Sequence, residues 1–421
     1  MISVITLILE FLVLFSSTSG GFLIADYTYI ILMFVFTIAF MMDLLISKKL
    51  AYARGELFFA YFWRFFLLFF DIYGKNVYNL PNSGPDANSF YREAVAYVLS
   101  NGSKNAGSFA TILGSAFRIV GTSRLYGQFL IMLMSVLAIC IFARVLSELE
   151  LDLRVKSWAV LLLGFLPNYA ILSVLFLREA PVCLSLTYSV YCFYHWLKDG
   201  KTWSFLLAFA AALVGAWFHS GSVAVVIGYI AVIMLYDRQK GRYRPNMRST
   251  LPAVLLSLVL IYLYLNYGDT LFGKFAKVDS LEDIGNTSEY GGSSYAQYVG
   301  NSATPLNMLI FTIPRIIYFL FSPFPWQWRG LSDIIAFFFS SLFYLVTVIQ
   351  ALRYLRSGNE KNRIVLIALL IVAAATTFVF AWGVSNTGTA ARHREKMVLI
   401  YGMIYAISLE PKQAPRVILM R

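Results

Sequence analysis

Apolar positions run in blocks of about 17–22 residues along nearly the whole chain, separated by short polar links. A block of that length is what an α-helix needs to cross the ~30 Å hydrocarbon core of a bilayer. The pattern predicts spans near 3–18, 27–47, 56–73, 125–146, 157–177, 180–197, 202–218, 220–236, 250–266, 331–352, 363–382 and 396–410. Without water in the bilayer core every backbone group must be satisfied internally, which helices alone achieve in runs like these. The expected fold class is all-α, a polytopic transmembrane helical bundle of about 12 spans. Residues 1–421 are expected to form a single integral membrane domain.

Composition agrees with that pattern: 59% of residues are hydrophobic and 13% charged, against roughly 45–50% apolar usage in soluble domains. Residues 3–16 lack the basic flank of a cleavable signal and lead into a second apolar block, so the first span is expected to stay in the protein. Cys140, Cys183 and Cys192 all lie inside apolar runs at no metal-binding spacing, and are read as packing residues. The net charge of +12 would suit nucleic acid, but the cations sit between spans rather than on one soluble face. Nucleic acid is therefore not expected as a partner.

The charges instead orient the chain. The links "SKKLAYARGE", "ARVLSELELDLRVKS", "KDGK", "DRQKGRYRPNMR", "RYLRSGNEKNR" and the tail "PKQAPRVILMR" carry well over half of the 34 Lys and Arg. By the positive-inside rule that side is cytoplasmic, with both termini on it. Segment 305–322 is long enough to cross, yet a crossing there would put "RYLRSGNEKNR" outside. It is expected to be re-entrant or to lie in the outer interface, in keeping with Arg315 near its centre, since an arginine at mid-bilayer costs roughly 2.5–3.5 kcal/mol. An odd number of crossings with an external carboxyl end is the alternative.

The expected outer elements are 74–124, 178–179, 219–221, 267–330 and 384–395, and the chemistry-bearing residues collect there. "FLREAP" places Arg178 and Glu179 in a short turn at headgroup depth, as phosphate ligand and base or as a local ion pair. "WFHSGS" places His219 at a second turn, as a hydrogen-bonding or acid–base group or as a helix cap. "TGTAARHREKM" puts Arg392, His393 and Arg394 after a small polar loop, Thr387 to Thr389, whose N–H groups could face an anion. The alternative there is headgroup anchoring of the last span. In "SGPDANSFYREAVAYVLSN", Asp86 or Asn88 is read as the N-cap of a helix, with Asp86 otherwise a candidate base and Tyr91 a candidate ring for stacking on sugar. "SPFPWQWRG" offers Trp326 and Trp328 as an interfacial belt or a carbohydrate platform. Arg92 and Arg329 stand beside these rings as further candidate sugar contacts. Arginine outnumbers lysine on this face, which suits a phosphate ligand.

No Walker A, G-x-G-x-x-G, H-E-x-x-H or outer-face D-x-D motif occurs. Nucleotide chemistry is unsupported, and nothing calls for a metal or cofactor.

The order "FLREAP", "WFHSGS", "LFSPFPWQW", "TGTAARHREKM" resembles the bacterial O-antigen, capsule and exopolysaccharide repeat-unit polymerases of the Wzy type, over about residues 80–400. The resemblance implies a GT-C-like bundle in the bacterial cytoplasmic membrane. It implies a glycosyltransferase that joins oligosaccharides carried on undecaprenyl diphosphate at the outer face. Membrane lipid, a flippase and a chain-length regulator are the further partners it suggests. Arg178, His219, Arg392, His393 and Arg394, with Arg315, would then surround the diphosphate, and Glu179, His393 or Asp86 would serve as base. Tyr91, Arg92, Trp326, Trp328 and Arg329 would contact sugar. Two rivals are a lipid-phosphosugar glycosyltransferase or glycan ligase, expected to carry an acidic residue in the first outer loop, where only Asp26 stands, and a lipid-linked glycan flippase or transporter. The latter would want several charges inside its spans, where this chain has essentially Arg64.

Overall fold

The computed structural model describes residues 1–20, 24–102, 107–238, 240–244, 294–299, 305–356 and 362–410, together with parts of 251–266. Residues 267–293 and 300–304 of the expected outer element 267–330, much of the expected span 250–266 and the tail 411–421 lie outside the described residues.

Apart from a two-strand hairpin pairing Tyr236–Asp237 with Arg242–Tyr243, the described elements are helical. They are α1 (Ile2–Ser19), α2 (Asp26–Ile46), α3 (Arg54–Tyr73), α4 (Pro85–Leu99), α5 (Ser108–Val120) and α6 (Arg124–Glu148). There follow α7 (Leu153–Phe165), α8 (Pro167–Leu172), α9 (Glu179–Asp199), α10 (Thr202–Phe218) and α11 (Ala224–Leu235). After these come α12 (Ala296–Val299), α13 (Pro305–Phe321), α14 (Leu331–Ala336), α15 (Leu342–Arg356), α16 (Arg363–Trp382), α17 (Thr387–Glu395) and α18 (Val398–Ser408). Among the described residues, 5 helices are long and apolar enough to cross a membrane: α1, α2, α6, the run Leu331–Arg356 and α16. Several expected spans are shorter or interrupted.

One interruption has a local cause. Expected span 157–177 breaks at Leu166, because Pro167 opens a new helix and the residue before a proline is pushed out of the helical region. Beyond Leu172 the chain is not helical until Glu179, so the expected two-residue turn at 178–179 is the end of a longer connection. Its Val174, Leu175, Phe176 and Leu177 are fully buried. The last expected span is split into α17 and α18, and all 11 residues of α18 are buried. At ~1.5 Å per residue α18 is too short to cross a bilayer alone. It is packed among α6, α7, α9, α15 and α16 as the core helix of the bundle.

Contacts sort the helix ends into two groups. At one end Lys49 pairs with Glu148 at 3.0 Å, His195 approaches Glu148 at 3.2 Å, and Asn362 donates to the Glu150 carbonyl. The Met1 ammonium meets Asp43 and the Glu410 carboxylate accepts from the Asp152 amide, so both lie at this end. At the other end lie Asp86, Arg124, Arg178 and His219. The 25 residues of α6 run between the two, a separation of ~37 Å. The described segments flanking α13 both return to α17 or to the residues just ahead of it. Residues 294–295, upstream of it, pair with Ser385 and Asn386, and Ser322, after it, accepts from Arg394.

Candidate functional site

Five elements deliver the site. Helix α4 begins at Pro85, preorganised for a first helical position, and puts Asp86 in its first turn beside the positive end of the helix dipole. Neither Asp86 nor Asn88 is the N-cap: that residue is Gly84, with no side-chain cap bond. The buried connection ahead of α9 delivers Arg178, and α9 opens on Glu179. His219 ends α10, its amide closing on the Gly215 carbonyl at 2.9 Å. Helix α17 carries Arg392 and His393 in its last turn, where cations complement the negative helix end.

The expected small polar loop at Thr387 to Thr389 is instead the first turn of α17. Asn386 caps it, its Oδ1 accepting from the Gly388 and Thr389 amides at 2.9 and 3.3 Å. Those donors are satisfied from within the chain, and the turn does not present them to an anion.

Arg392 is the centre. Its Nη1 donates to Asp86 Oδ2 and its Nε to Glu179 Oε1 at 3.3 Å. Lys396 Nζ reaches the same Glu179 oxygen at 3.6 Å. Lys396 escaped the sequence reading, although it stands four residues after Arg392 and so shares its helix face. Arg178 donates to the Phe218 carbonyl at 3.4 Å and lies over the Phe90 ring at 5.5 Å. The His219 and His393 rings meet edge to face with centroids 4.6 Å apart, and Phe380 contacts both. The Nδ1 atoms of both histidines and the second oxygen of Glu179 are buried without a hydrogen-bond partner. Three cations and two carboxylates thus share one small volume at one end of the bundle.

Electrostatics follow from that crowding. Burial alone would raise the pKa of Glu179, but Lys396, Arg392 and Arg178 outweigh it and hold the carboxyl below its usual range. Burial pushes His219 and His393 well below the ordinary imidazole value, and the neighbouring Lys396, Arg178 and Arg392 push the same way. Both rings are therefore neutral at pH 7. Burial brings Lys396 down to about 7, so the two guanidinium groups supply the fixed positive charge, beside ionised Glu179, a partly protonated Lys396 and two uncharged imidazoles.

The remaining candidates lie elsewhere. Arg394 is fully buried on the opposite face of α17 and donates to the carbonyls of Phe319, Leu320 and Ser322 at 3.2, 2.6 and 2.6 Å. Arg315 donates to the Val299, Ala381 and Trp382 carbonyls at 3.2, 3.4 and 3.5 Å and stacks on Trp382. Both satisfy the carbonyls that helix ends leave without partners, and neither joins the Arg392 cluster. The Tyr91 hydroxyl donates to the Thr122 carbonyl at 2.8 Å, its ring packed against Phe117 and Phe176. Arg92 is exposed. Trp326, 72% exposed, stacks on Phe324 at 4.8 Å. Trp328 packs on Phe337 and Phe338, and Arg329 pairs with Asp333 at 3.7 Å.

Behind the cluster lies a second buried carboxyl that the sequence reading passed over. Glu395 Oε1 accepts from Asn168 at 2.7 Å and from Ser340 at 2.8 Å. Ser340 sits in a π-helical stretch, Phe337–Ser341, a type of irregularity frequent at functional sites. Burial raises the pKa of this carboxyl. No three His, Cys, Asp or Glu gather as a metal site among the described residues. No protein family model, curated protein or solved structure matches the chain.

Proposed function

We propose that the chain is a glycosyltransferase of the polysaccharide-polymerase class, joining oligosaccharide repeat units carried on undecaprenyl diphosphate at the outer face of the bacterial cytoplasmic membrane. The observation that carries this reading is the gathering of Arg178, Arg392 and Lys396 around one buried carboxylate at the end of an apolar bundle. Breaking the bond between a sugar C1 and the diphosphate oxygen leaves negative charge on the departing diphosphate. Fixed guanidinium and ammonium groups in a low-dielectric site stabilise that charge as it forms.

The attacking hydroxyl needs an unprotonated base. Glu179 is already engaged by Arg392 and Lys396, whereas His393 is neutral with an unpartnered Nδ1. The negative charge of an arriving diphosphate offsets the surrounding cations and so raises the proton affinity of that imidazole. Base strength would thus depend on substrate being in place. The exposed Trp326 and Phe324 pair is a flat aromatic face of the kind that holds sugar rings.

The test is purified protein supplied with a lipid-diphosphate oligosaccharide. Polymerase activity yields a ladder of lengthening glycans, and Arg178→Ala or Arg392→Ala lowers its rate by about 100-fold or more. Transfer of one sugar would assign a lipid-phosphosugar transferase instead. Absence of any covalent product would assign a transporter.

A further inference from the structure

The two carboxylates on Arg392 are not equivalent. Glu179 approaches from a side chain that is 4% exposed and is shared with Lys396, itself 1% exposed. Removing Glu179 would strand a buried ammonium. Asp86 approaches from a side chain that is 62% exposed. Helix α4 has anchors besides Asp86: Gly84, not Asp86, holds the N-cap position, Asn88 accepts from Arg124 at 2.7 Å, and Tyr91 ties the next turn to Thr122. A rotation about the Asp86 side chain frees Arg392 Nη1 without disturbing α4. Exposed carboxylate–arginine pairs of this kind are weak, and a phosphoryl group offers more charge and bidentate geometry to the same guanidinium.

We infer that Asp86 occupies the seat of one phosphoryl group of the ligand, which displaces it from Arg392 on binding. The inference rests on the reading of this cluster as a diphosphate site, and it removes Asp86 from the candidate bases. With Asp86 swung outward, Arg178, Arg392 and Lys396 face a single carboxylate. With Lys396 protonated, two net positive charges then oppose a diphosphate. With Asp86 in place only one does.

The experiment measures binding of inorganic pyrophosphate, and in a second arm of a short-chain polyprenyl diphosphate, to protein in maltoside micelles. Asp86→Asn is expected to bind pyrophosphate about fivefold more tightly than the unaltered chain, and Arg392→Ala at least tenfold more weakly. Tightening in both arms places the phosphoryl group itself at the seat. Tightening with the polyprenyl diphosphate alone supports the same seat for a lipid headgroup only. Binding that depends on Arg392 but is unchanged or weakened by Asp86→Asn overturns the seat and leaves the diphosphate site standing. Unchanged affinity with lost turnover in Asp86→Asn overturns it in favour of Asp86 as a base. No binding in either arm, with no effect of Arg392→Ala, sinks the diphosphate site and the seat together.

Discussion

Arg392 and Arg394 are two residues apart and do different things. In a helix that spacing turns a side chain by about 200°, so Arg392 faces Glu179 and Asp86 while Arg394 faces the carbonyls that end α13. Arg64 repeats the second role in the interior. It is fully buried, donates to the Gly164 carbonyl near the end of α7, and lies 5.0 Å from the Tyr169 ring centre. Arginine enrichment therefore reflects helix ends inside the bundle as well as any anion. Arg394→Met removes the donor from the Phe319 and Leu320 carbonyls, while Ser341 still reaches that of Ser322 at 2.8 Å, and is expected to lower stability by about 3 kcal/mol. Thermal unfolding in detergent checks this, and the pyrophosphate affinity of whatever folded protein remains should match the parent. The histidines give a pH signature. Their folded pKa values lie well below the unfolded value near 6.5. Below that pH the unfolded chain takes up protons that the folded chain refuses. Their contribution to stability is thus complete above about pH 6.5 and is lost on acidification, by up to about 1.4 kcal/mol per pH unit for each ring. Between pH 7.5 and 5 the unfolding temperature of the double variant His219→Gln, His393→Gln should drop less than that of the parent, the buried Glu395 carboxyl acting in the opposite sense in both.

At the scale of elements, close helix approach is set by small residues. A side chain built on Gly228 of α11 would come within 2.7 Å of the Val372 backbone in α16. Backbone cannot yield as a side-chain tip can, and without water between them membrane helices rely on such close packing. Gly228→Val is expected to cost about 1–3 kcal/mol, read as a lower unfolding temperature and poorer folded yield. Gly55→Val, where nothing lies within 4 Å of the added atom, is the comparison and should change far less. The same scale explains the break between α17 and α18. Arg392, Arg394 and Glu395 turn to partners on other elements of the bundle, and a turn at Lys396 and Met397 separates them from α18, which protein surrounds on all sides. Non-helical backbone at membrane depth is tolerated where protein surrounds it.

For the whole molecule, the segregation of polar groups to two ends of α6 is the architectural fact. Single cysteines at Asp86 and at Lys49, both exposed, are expected to react with a membrane-impermeant maleimide from opposite sides: Asp86→Cys in intact cells, Lys49→Cys only after the membrane is opened. Labelling of both from one side would remove the two-ended arrangement and the outer-face site with it.

Hydrophobic periodicity was enough to predict a mainly helical chain with helices long and apolar enough to cross a membrane, because apolar blocks of that length in lipid are satisfied by helix hydrogen bonds. It also flagged Arg178, Glu179, His219, Arg392 and His393, since charged groups beside apolar runs are too costly to be incidental. Where helices break was only partly legible. Pro167 announces its break, but the end of α17 depends on what packs around it. Tertiary structure alone decided that Arg392 faces Glu179 while Arg394 and Arg315 serve carbonyls, and that Lys396 joins the cluster. Helix phase and the placement of partners hundreds of residues away set those pairings, and neither can be read from spacing along the chain.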